Sequence, residues 1–360
     1  MVSERLVIKV GTNVLTRPNL QLDYNVIHQI VEQIGALRAQ KHRVVLVTSG
    51  AAGAGYGLAK FPNRDPLLGL QLRTSVGQPR LMQIYADFFR EQNIPVAQAL
   101  LTRSDFGIRE RYLNIRRVME GLLDIGVLPI INENDVVATD ALTFGDNDYL
   151  SAAVAATIGA TRLFLLTTAD GFYQGGDPAG NPRAKRISRI EKITKAMWDS
   201  CETTLSAGGR GGMFSKLKAA EMVTSFGIAA HIVSGKVESV VPRVMAGENL
   251  GTLFTATESK RLKGYRQWLR FGALTNGRMI VDDGAQKALK NNKSLLPAGI
   301  KAVGGTFEAG EIVEILNTKE EKLGVGLSNF SSVELQDLIS GEKNKERSTE
   351  AIHKDRLLLV

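Results

Sequence analysis

The strongest constraint on the fold is a repeated alternation of short apolar runs and helical patterns over the first 257 residues. Continuous Val, Ile and Leu runs separated by helix-length segments are typical of a parallel sheet with both faces covered. We expect strands at 6–10, 44–48, 96–101, 127–131, 163–167, 230–233 and 253–256. We expect helices at 24–39, 78–91, 111–124, 147–158, 214–226 and 237–246. The sequence therefore predicts an α/β domain at 1–257, with a mainly parallel sheet sandwiched between helices.

The pattern changes after residue 257, where a basic segment at 258–271 follows the first domain. Its five Lys and Arg residues between 260 and 270 are not interrupted by any acidic residue. Such a stretch fits either a solvated linker or a surface that meets phosphate-rich partners. Beyond it, glycine-punctuated short segments and the alternation of apolar residues at 311–316 predict a small, mainly β domain at 272–360.

Cysteine content and hydropathy bear on where the protein resides. With Cys201 as the single cysteine, the chain has no internal disulfide, which fits a reducing cytosol. The first ten residues lack the basic stretch and apolar core of a secretory signal. No apolar run approaches the ~20 residues that are needed to span a bilayer. We therefore expect a soluble, cytoplasmic protein without a membrane segment.

Unusual residues follow the first two predicted strands, at the edge where open α/β sheets bind ligands. Lys9 interrupts the apolar run 6–10, and a lysine there either extends out of the sheet or binds an anion. Gly11 favours the anion because it permits close approach of the backbone. The small-residue loop 48–57 offers backbone N–H groups at a helix start, although a flexible turn has the same composition. The chain fits neither G-x-G-x-x-G at this loop nor G-x-x-x-x-G-K-[ST] anywhere, which argues against Rossmann dehydrogenases and Walker NTPases.

Polar residues also follow the later predicted strands. Asn and Asp residues at 132–135 and 144–149 suit an amino group or a hydroxyl, and carboxylates also hold lysines or the water around a metal. Four glycines surround Arg210 and precede Lys216 and a helix, which predicts a phosphate-binding loop. A glycine linker is the alternative, but the helix that follows at once argues against it.

The four histidines lie outside all of these patches, and this limits the chemistry. An alcohol acceptor generally needs a base, whereas a carboxylate with a pKa of ~4.3 is already an anion at neutral pH. Transfer of a phosphoryl group to a carboxylate depends mainly on positioning and charge neutralisation. Lysines, backbone amides and Mg²⁺ can supply both.

These patches, in this order, resemble the amino acid kinase family. The matching segments are 7–12, 47–51, 100–103, 109–114, 130–135, 145–148 and 211–213 with Lys216. The pattern is most similar to members that phosphorylate the γ-carboxylate of L-glutamate with ATP, in the first step of proline biosynthesis. The C-terminal part, including 294–301, resembles a PUA domain, and PUA domains elsewhere often bind RNA.

The resemblance implies roles for individual residues. Lys9 and Lys216 would neutralise the transferred phosphoryl group, and Asp148 would hold these two lysines in register. The implied glutamate contacts are Ser49, Gly50, Ala51, Asp135 and Asn147. The implied nucleotide contacts are Lys9, Thr167, Thr168, Arg210, Gly211, Gly212, Met213, Phe214, Ser215 and Lys216. The resemblance further implies Mg²⁺ held mainly through the phosphates of ATP, feedback inhibition by proline at or near the glutamate site, and a homo-oligomer, either a dimer or a tetramer.

The chain departs from the family pattern in three places, and these leave alternatives open. Thr168 replaces a usual Asp, Arg210 replaces a common Thr, and Phe214-Ser215 precedes the lysine, so nucleotide contacts are affected. The acceptor in such a family can also be aspartate, N-acetylglutamate, carbamate or a nucleoside monophosphate. An RNA-binding protein with an inactive kinase fold is a further alternative. The polar patch at 132–135 favours a free amino acid, and the retained lysines favour activity.

Overall fold

The computed structural model describes residues 3–60, 65–138, 146–176, 181–202, 212–256, 277–340 and 349–359. The predicted basic segment at 258–271 lies outside these ranges. The chain divides into two compact units, 1–103 with 115–261 and 104–114 with 262–360. The domain bounds drawn from the sequence stay a prediction.

The described residues between 3 and 256 contain the predicted strands and helices, together with three short strands between residues 172 and 190 that the apolar pattern did not predict. The strands are β1 Arg5–Val10, β2 Arg43–Val47, β3 Val96–Leu101, β4 Leu128–Glu133, β5 Arg162–Thr167, β6 Phe172–Gln174, β7 Lys185–Ile187, β8 Arg189–Ile190, β9 Ala229–Ser234 and β10 Thr252–Phe254. The helices are α1 Thr12–Leu15, α2 Tyr24–Ala39, α3 Ala51–Gly55, α4 Pro66–Glu91, α5 Arg103–Gly107, α6 Arg109–Asp124, α7 Asp146–Thr157, α8 Lys195–Glu202, α9 Met213–Ser225 and α10 Val240–Met245.

Eight of these strands form one sheet in the order β3-β4-β2-β1-β5-β9-β10-β8. The neighbouring strands from β3 to β9 run parallel, and β10 is antiparallel to β9. Strand β1 lies in the middle, and its apolar residues have no exposed surface. Because β1 is covered on both faces, a continuous apolar run rather than an alternating one forms it. The predicted α/β fold with a mainly parallel sheet is confirmed.

The two faces of the sheet carry different helices. One face shares an apolar cluster with α2, α4 and α10, to which β1 contributes Leu6, Ile8 and Val10. The other face packs against α7 and α9. Since side chains alternate along a strand, Lys9 points to the α7 side of the sheet. The alternation of side chains along β1 therefore places Lys9 on the face opposite the apolar cluster.

Helix α4 begins twelve residues before the predicted start at Gln78, so that boundary is wrong. The Asp65 side chain accepts hydrogen bonds from the backbone N–H groups of Leu67 and Leu68 at 2.9 and 3.1 Å, which caps the helix. Pro66 occupies the first turn, where its missing N–H costs nothing, and the helix continues through Pro79. Within the described ranges, no helix is both long and apolar enough to cross a bilayer.

The described part of the second unit after residue 277 is mainly β. Its strands are β11 Arg278–Val281, β12 Ile300–Gly304, β13 Ile312–Leu316, β14 Lys322–Leu327 and β15 Leu357–Leu359, and its helices are α11 Asp283–Lys290 and α12 Ser332–Ser340. The sheet has the order β12-β11-β13-β14-β15, with a parallel pair between β11 and β13. Its core contains Met279, Phe307 and Leu335. The predicted small, mainly β domain is confirmed as a fold.

Candidate active site

Two lysines meet one aspartate beyond the carboxyl edge of the sheet. Lys9 comes from the end of β1, Asp148 from the first turn of α7, and Lys216 from the first turn of α9. The Nζ atom of Lys9 lies 2.6 Å from Asp148 Oδ1, and the Nζ atom of Lys216 lies 3.1 Å from Asp148 Oδ2. The structure thus brings together three residues that are distant in the sequence. Asp148 and Lys216 are 68 positions apart, and Lys9 is farther still from both. We call them the lysine–aspartate cluster.

Burial makes the charges of this cluster interact strongly. Lys9 and Lys216 are 5% and 4% exposed, and Asp148 is 0% exposed. Burial by itself raises the pKa of Asp148, but the charges of Lys216 and Lys9 outweigh this effect and hold that pKa below its usual range. Burial lowers the pKa of Lys9, and Asp148 opposes that shift. Two ammonium groups on one carboxylate carry a net charge of +1, so the cluster attracts an anion.

Ser215 provides a further donor to the same carboxylate. Its hydroxyl donates to Asp148 Oδ2 at 2.6 Å, and the residue is buried in the first turn of α9. The nucleotide contact suggested for Ser215 stays a prediction, and the structure adds a contact with the carboxylate that holds the lysines. A short hydroxyl next to Lys216 was the available signal for this role.

A second polar group lies beside the cluster, around Ser49. The side-chain amide of Asn147 donates to Ser49 Oγ at 3.1 Å and to Asn132 Oδ1 at 3.0 Å. The backbone N–H of Glu133 donates to both Asn132 and Asn147. Asn147 and Asp148 are neighbours in the first turn of α7, so one helix end joins this polar group to the lysine–aspartate cluster.

The turn between β2 and α3 depends on glycine. Gly50 has φ +99°, a left-handed conformation that other residues adopt only at a cost. Helix α3 then packs against α4, where a Cβ on Gly77 would lie 1.9 Å from the carbonyl oxygen of Ala51. Close contact between α3 and α4 therefore fixes where the Ser49–Ala51 loop lies.

These groups line one cleft of about 400 Å³. The predicted site residues that line it are Lys9, Ser49, Gly50, Ala51, Asp135, Asn147, Asp148, Thr167, Thr168 and Lys216. The structure does not place Gly212, Met213, Phe214 or Ser215 in its lining. Arg210 and Gly211 lie outside the described residues.

Phe214 contacts an aromatic ring of α8, and the nucleotide contact suggested for it stays a prediction. Its side chain is 42% exposed, and its ring lies edge-on to that of Trp198 with centroids 5.2 Å apart. Trp198 belongs to α8, an element that the sequence patterns did not predict. The first turn of α9 therefore points Ser215 and Lys216 inward and Phe214 outward.

Sequence reasoning missed several residues of the cleft lining. Arg73 and Thr74 line it from the first half of α4, which lay outside the predicted helix. Thr12 and Asn13 line it from α1, directly after Gly11. The signal for the second pair was their position after β1, whereas α4 reaches the cleft only through its packing on α3.

The side chains of the cleft do not form a metal cage of their own. Within the described ranges, no three His, Cys, Asp or Glu side chains are grouped so as to hold a metal ion. The buried carboxylate of Asp148 is already engaged by two ammonium groups.

Comparison with known proteins identifies relatives of both parts of the chain. The model of the amino acid kinase family matches residues 4–234, and that of the PUA domain matches residues 277–348. A glutamate 5-kinase of Pseudomonas entomophila is 40% identical over 99% of this chain and 98% of its own length. A glutamate 5-kinase of Trichormus variabilis is 39% identical, over 99% of this chain and 100% of its own.

A solved structure supports the fold. The carbamate kinase of Giardia lamblia bound to AMP-PNP has a TM-score of 0.50 at 17% identity, over 71% of this chain and 99% of its own. The expected family resemblance is confirmed over nearly the whole chain. The chain therefore belongs to the amino acid kinase family, within its group of glutamate 5-kinases, and its C-terminal part matches the PUA domain.

Proposed function

We propose that the protein transfers the γ-phosphoryl group of ATP to the γ-carboxylate of L-glutamate. The observation that carries this proposal is the buried lysine–aspartate cluster at the carboxyl edge of the sheet, with its net charge of +1. The full-length likeness to glutamate 5-kinases supports this choice of acceptor over the other carboxylates and phosphates that the family uses. The product, γ-glutamyl phosphate, is the first intermediate of proline biosynthesis.

The chemistry of this transfer needs charge neutralisation more than proton transfer. A carboxylate oxygen of glutamate attacks the γ-phosphorus, and the bond to the β,γ-bridging oxygen breaks, so that ADP leaves with the electron pair. No proton is gained or lost, because the acceptor is already ionised at neutral pH. Negative charge on the transferred group lies between two anions, and Lys9 and Lys216 offset it. Asp148 and Ser215 keep the two ammonium groups in place.

We assign the two substrates to different parts of the cleft. The polar group of Ser49, Asn147 and Asp135 suits glutamate, whose ammonium and carboxylate groups need acceptors and donors. Thr167 ends β5 and Thr168 follows it, and both suit the nucleotide, together with the loop before α9. Mg²⁺ would enter with the phosphates of ATP and neutralise part of their charge.

The exchange of Lys216 for alanine tests the proposal. In Lys216→Ala we expect turnover to fall by about 10³-fold or more, while the circular dichroism spectrum stays that of a folded protein, because Lys9 still compensates the charge of Asp148. Lys218→Ala is the matched control, since that lysine lies two residues along α9 and is exposed. ADP release with Mg·ATP and each of glutamate, aspartate, N-acetylglutamate and UMP gives the readout. Wild-type rates in Lys216→Ala, or release with an acceptor other than glutamate, would contradict the proposal.

The PUA match supports a second candidate function, binding of structured RNA. Lys287, Lys290 and Lys293 are exposed at and after the end of α11, and the whole chain has a net charge of +8. In a filter-binding assay between about 50 and 200 mM salt, the affinity for structured RNA should fall steeply if the protein contacts phosphates. Absent or salt-insensitive binding would leave this unit a structural or regulatory role.

Inhibition by proline and assembly into dimers or tetramers remain proposals. Activity assays with proline test the first, and light scattering tests the second.

A further inference from the structure

A chain of side-chain amides connects helix α4 to Ser49. Gln78 on α4 accepts a hydrogen bond through Oε1 from Asn132 Nδ2 at 2.8 Å. Asn132 Oδ1 in turn accepts from Asn147 Nδ2 at 3.0 Å, and the same Nδ2 donates to Ser49 Oγ at 3.1 Å. We call Gln78, Asn132 and Asn147 the amide relay. It joins three elements, α4, β4 and α7, to the loop after β2.

One backbone group fixes the orientation of two amides in this relay. The N–H of Glu133 lies 2.9 Å from Asn132 Oδ1 and 3.2 Å from Asn147 Oδ1. A backbone N–H can only donate, so both side chains must turn an oxygen towards it. Their amino groups then face Gln78 and Ser49. The direction of every hydrogen bond in the relay follows from this one donor.

The orientation of the relay decides what Ser49 can offer to a ligand. Because Ser49 Oγ accepts from Asn147, its own hydrogen is directed away from Asn147 and is available to another acceptor. Within the described residues, no acceptor is bonded to this hydroxyl, and Ser49 lines the cleft. A hydroxyl held as a donor suits a carboxylate oxygen and is a poor partner for an ammonium group.

Gln78 does not itself line the cleft. Of its side-chain amide, the oxygen forms a hydrogen bond and, within the described ranges, the amino group does not. Gln78 is 9% exposed, and its Nε2 atom has no hydrogen-bond partner among the residues that the structure describes. A buried amino group without a partner is costly, so a purely structural site would suit an apolar side chain better. The part of the Gln78 amide that does form a hydrogen bond is Oε1, which accepts from Asn132.

We propose that Gln78 is a positioning residue that acts through Asn132 and Asn147 and holds Ser49 as a hydrogen-bond donor to a carboxylate oxygen of the substrate. This inference rests on the proposed function, since it assigns the glutamate part of the cleft. It assigns no contact between Gln78 and the substrate. Its effect is on substrate affinity rather than on the phosphoryl transfer itself.

Two substitutions of Gln78 distinguish the effect of its hydrogen-bond acceptor from the effect of its side-chain shape. Gln78→Met keeps the length of the side chain but loses the acceptor, and we expect the KM for glutamate to rise about tenfold, with kcat and the KM for ATP within about twofold of the wild type. Gln78→Glu keeps an acceptor oxygen for Asn132 and should restore most of the affinity. Gln83→Met, an exposed glutamine on the same helix, is the matched control and should behave as the wild type. If Gln78→Met is not folded, Gln78→Leu replaces it.

A double-mutant cycle tests the route through Ser49. In a Ser49→Ala background the hydroxyl is gone, so adding Gln78→Met should change the KM for glutamate by less than about twofold. A wild-type KM in Gln78→Met, equal losses in Gln78→Met and Gln78→Glu, or an undiminished Gln78→Met effect in the Ser49→Ala background would overturn the inference while the proposed function stands. A wild type that releases no ADP with glutamate would overturn both.

Discussion

Replacing Asp148 with asparagine removes the counter-charge of two buried ammonium groups and keeps the shape of the side chain. Lys9 Nζ lies 2.6 Å and Lys216 Nζ 3.1 Å from the carboxylate, which has no exposed surface. Breaking a buried ion pair by removing one partner costs about 3–5 kcal/mol, because the remaining charge is left uncompensated. We expect Asp148→Asn to lose stability on this scale and to lose activity.

The loss has an upper bound that depends on pH. A lysine that loses its proton in the folded state costs at most the free energy of deprotonating an ordinary lysine, whose pKa is 10.5. That bound is about 5 kcal/mol for each lysine at pH 7 and about 2 kcal/mol at pH 9. The folded variant then binds fewer protons than its unfolded state, so its stability rises with pH. We therefore expect the difference from the wild type to shrink between pH 7 and pH 9.

Urea unfolding at pH 7, 8 and 9, followed by circular dichroism, measures this difference. Asp124→Asn is the control, since its carboxylate lies 2.7 Å from Arg43 but is 61% exposed. We expect that surface pair to contribute less than about 1 kcal/mol at every pH. A loss in Asp148→Asn as small as that of the control, or a loss that stays constant up to pH 9, would refute the reasoning.

Two other predictions concern the fold around the site. A Cβ on Gly77 would meet the backbone oxygen of Ala51 at 1.9 Å, so Gly77→Ala should cost about 3 kcal/mol by thermal unfolding and weaken glutamate binding. Gly121→Ala, on an exposed part of α6 with open space, should instead gain up to ~1 kcal/mol, and equal effects of the two exchanges would contradict the packing argument. Burial and the nearby Arg162 lower the pKa of His231 to about 4, so folding loses stability as the pH falls from about 6.5 towards 4, where the unfolded chain takes up the proton first. His231→Phe keeps a ring to stack on Phe164 and should remove about 3 kcal/mol of this loss of stability between pH 6.5 and 4. If the free energy of unfolding falls with pH in the variant as it does in the wild type, His231 is not the source of the loss.

The sequence alone determined the α/β class, most element positions and the group of residues at the carboxyl edge of the sheet. Apolar periodicity is a local property, so strands such as β3 and helices such as α2 could be placed from it directly. Polar residues at strand ends are equally visible in the sequence, which is why Lys9 and Asp148 were found. The beginning of α4 was missed because its proline and glycines argue locally against a helix, while packing against α3 supports one.

Only the tertiary structure decided which of these groups touch one another and in what state. Ser215 binds Asp148 instead of lining the cleft, because the helical turn of α9 points it inward beside Lys216. The amide relay joins residues 54 positions apart, and its direction depends on a backbone N–H that no sequence pattern displays. The pKa values of Lys9 and Asp148 likewise depend on burial and on distances between charges, which are set when distant segments pack together. Sequence patterns report local preferences, whereas hydrogen-bond direction and charge state arise from contacts between elements that are remote along the chain.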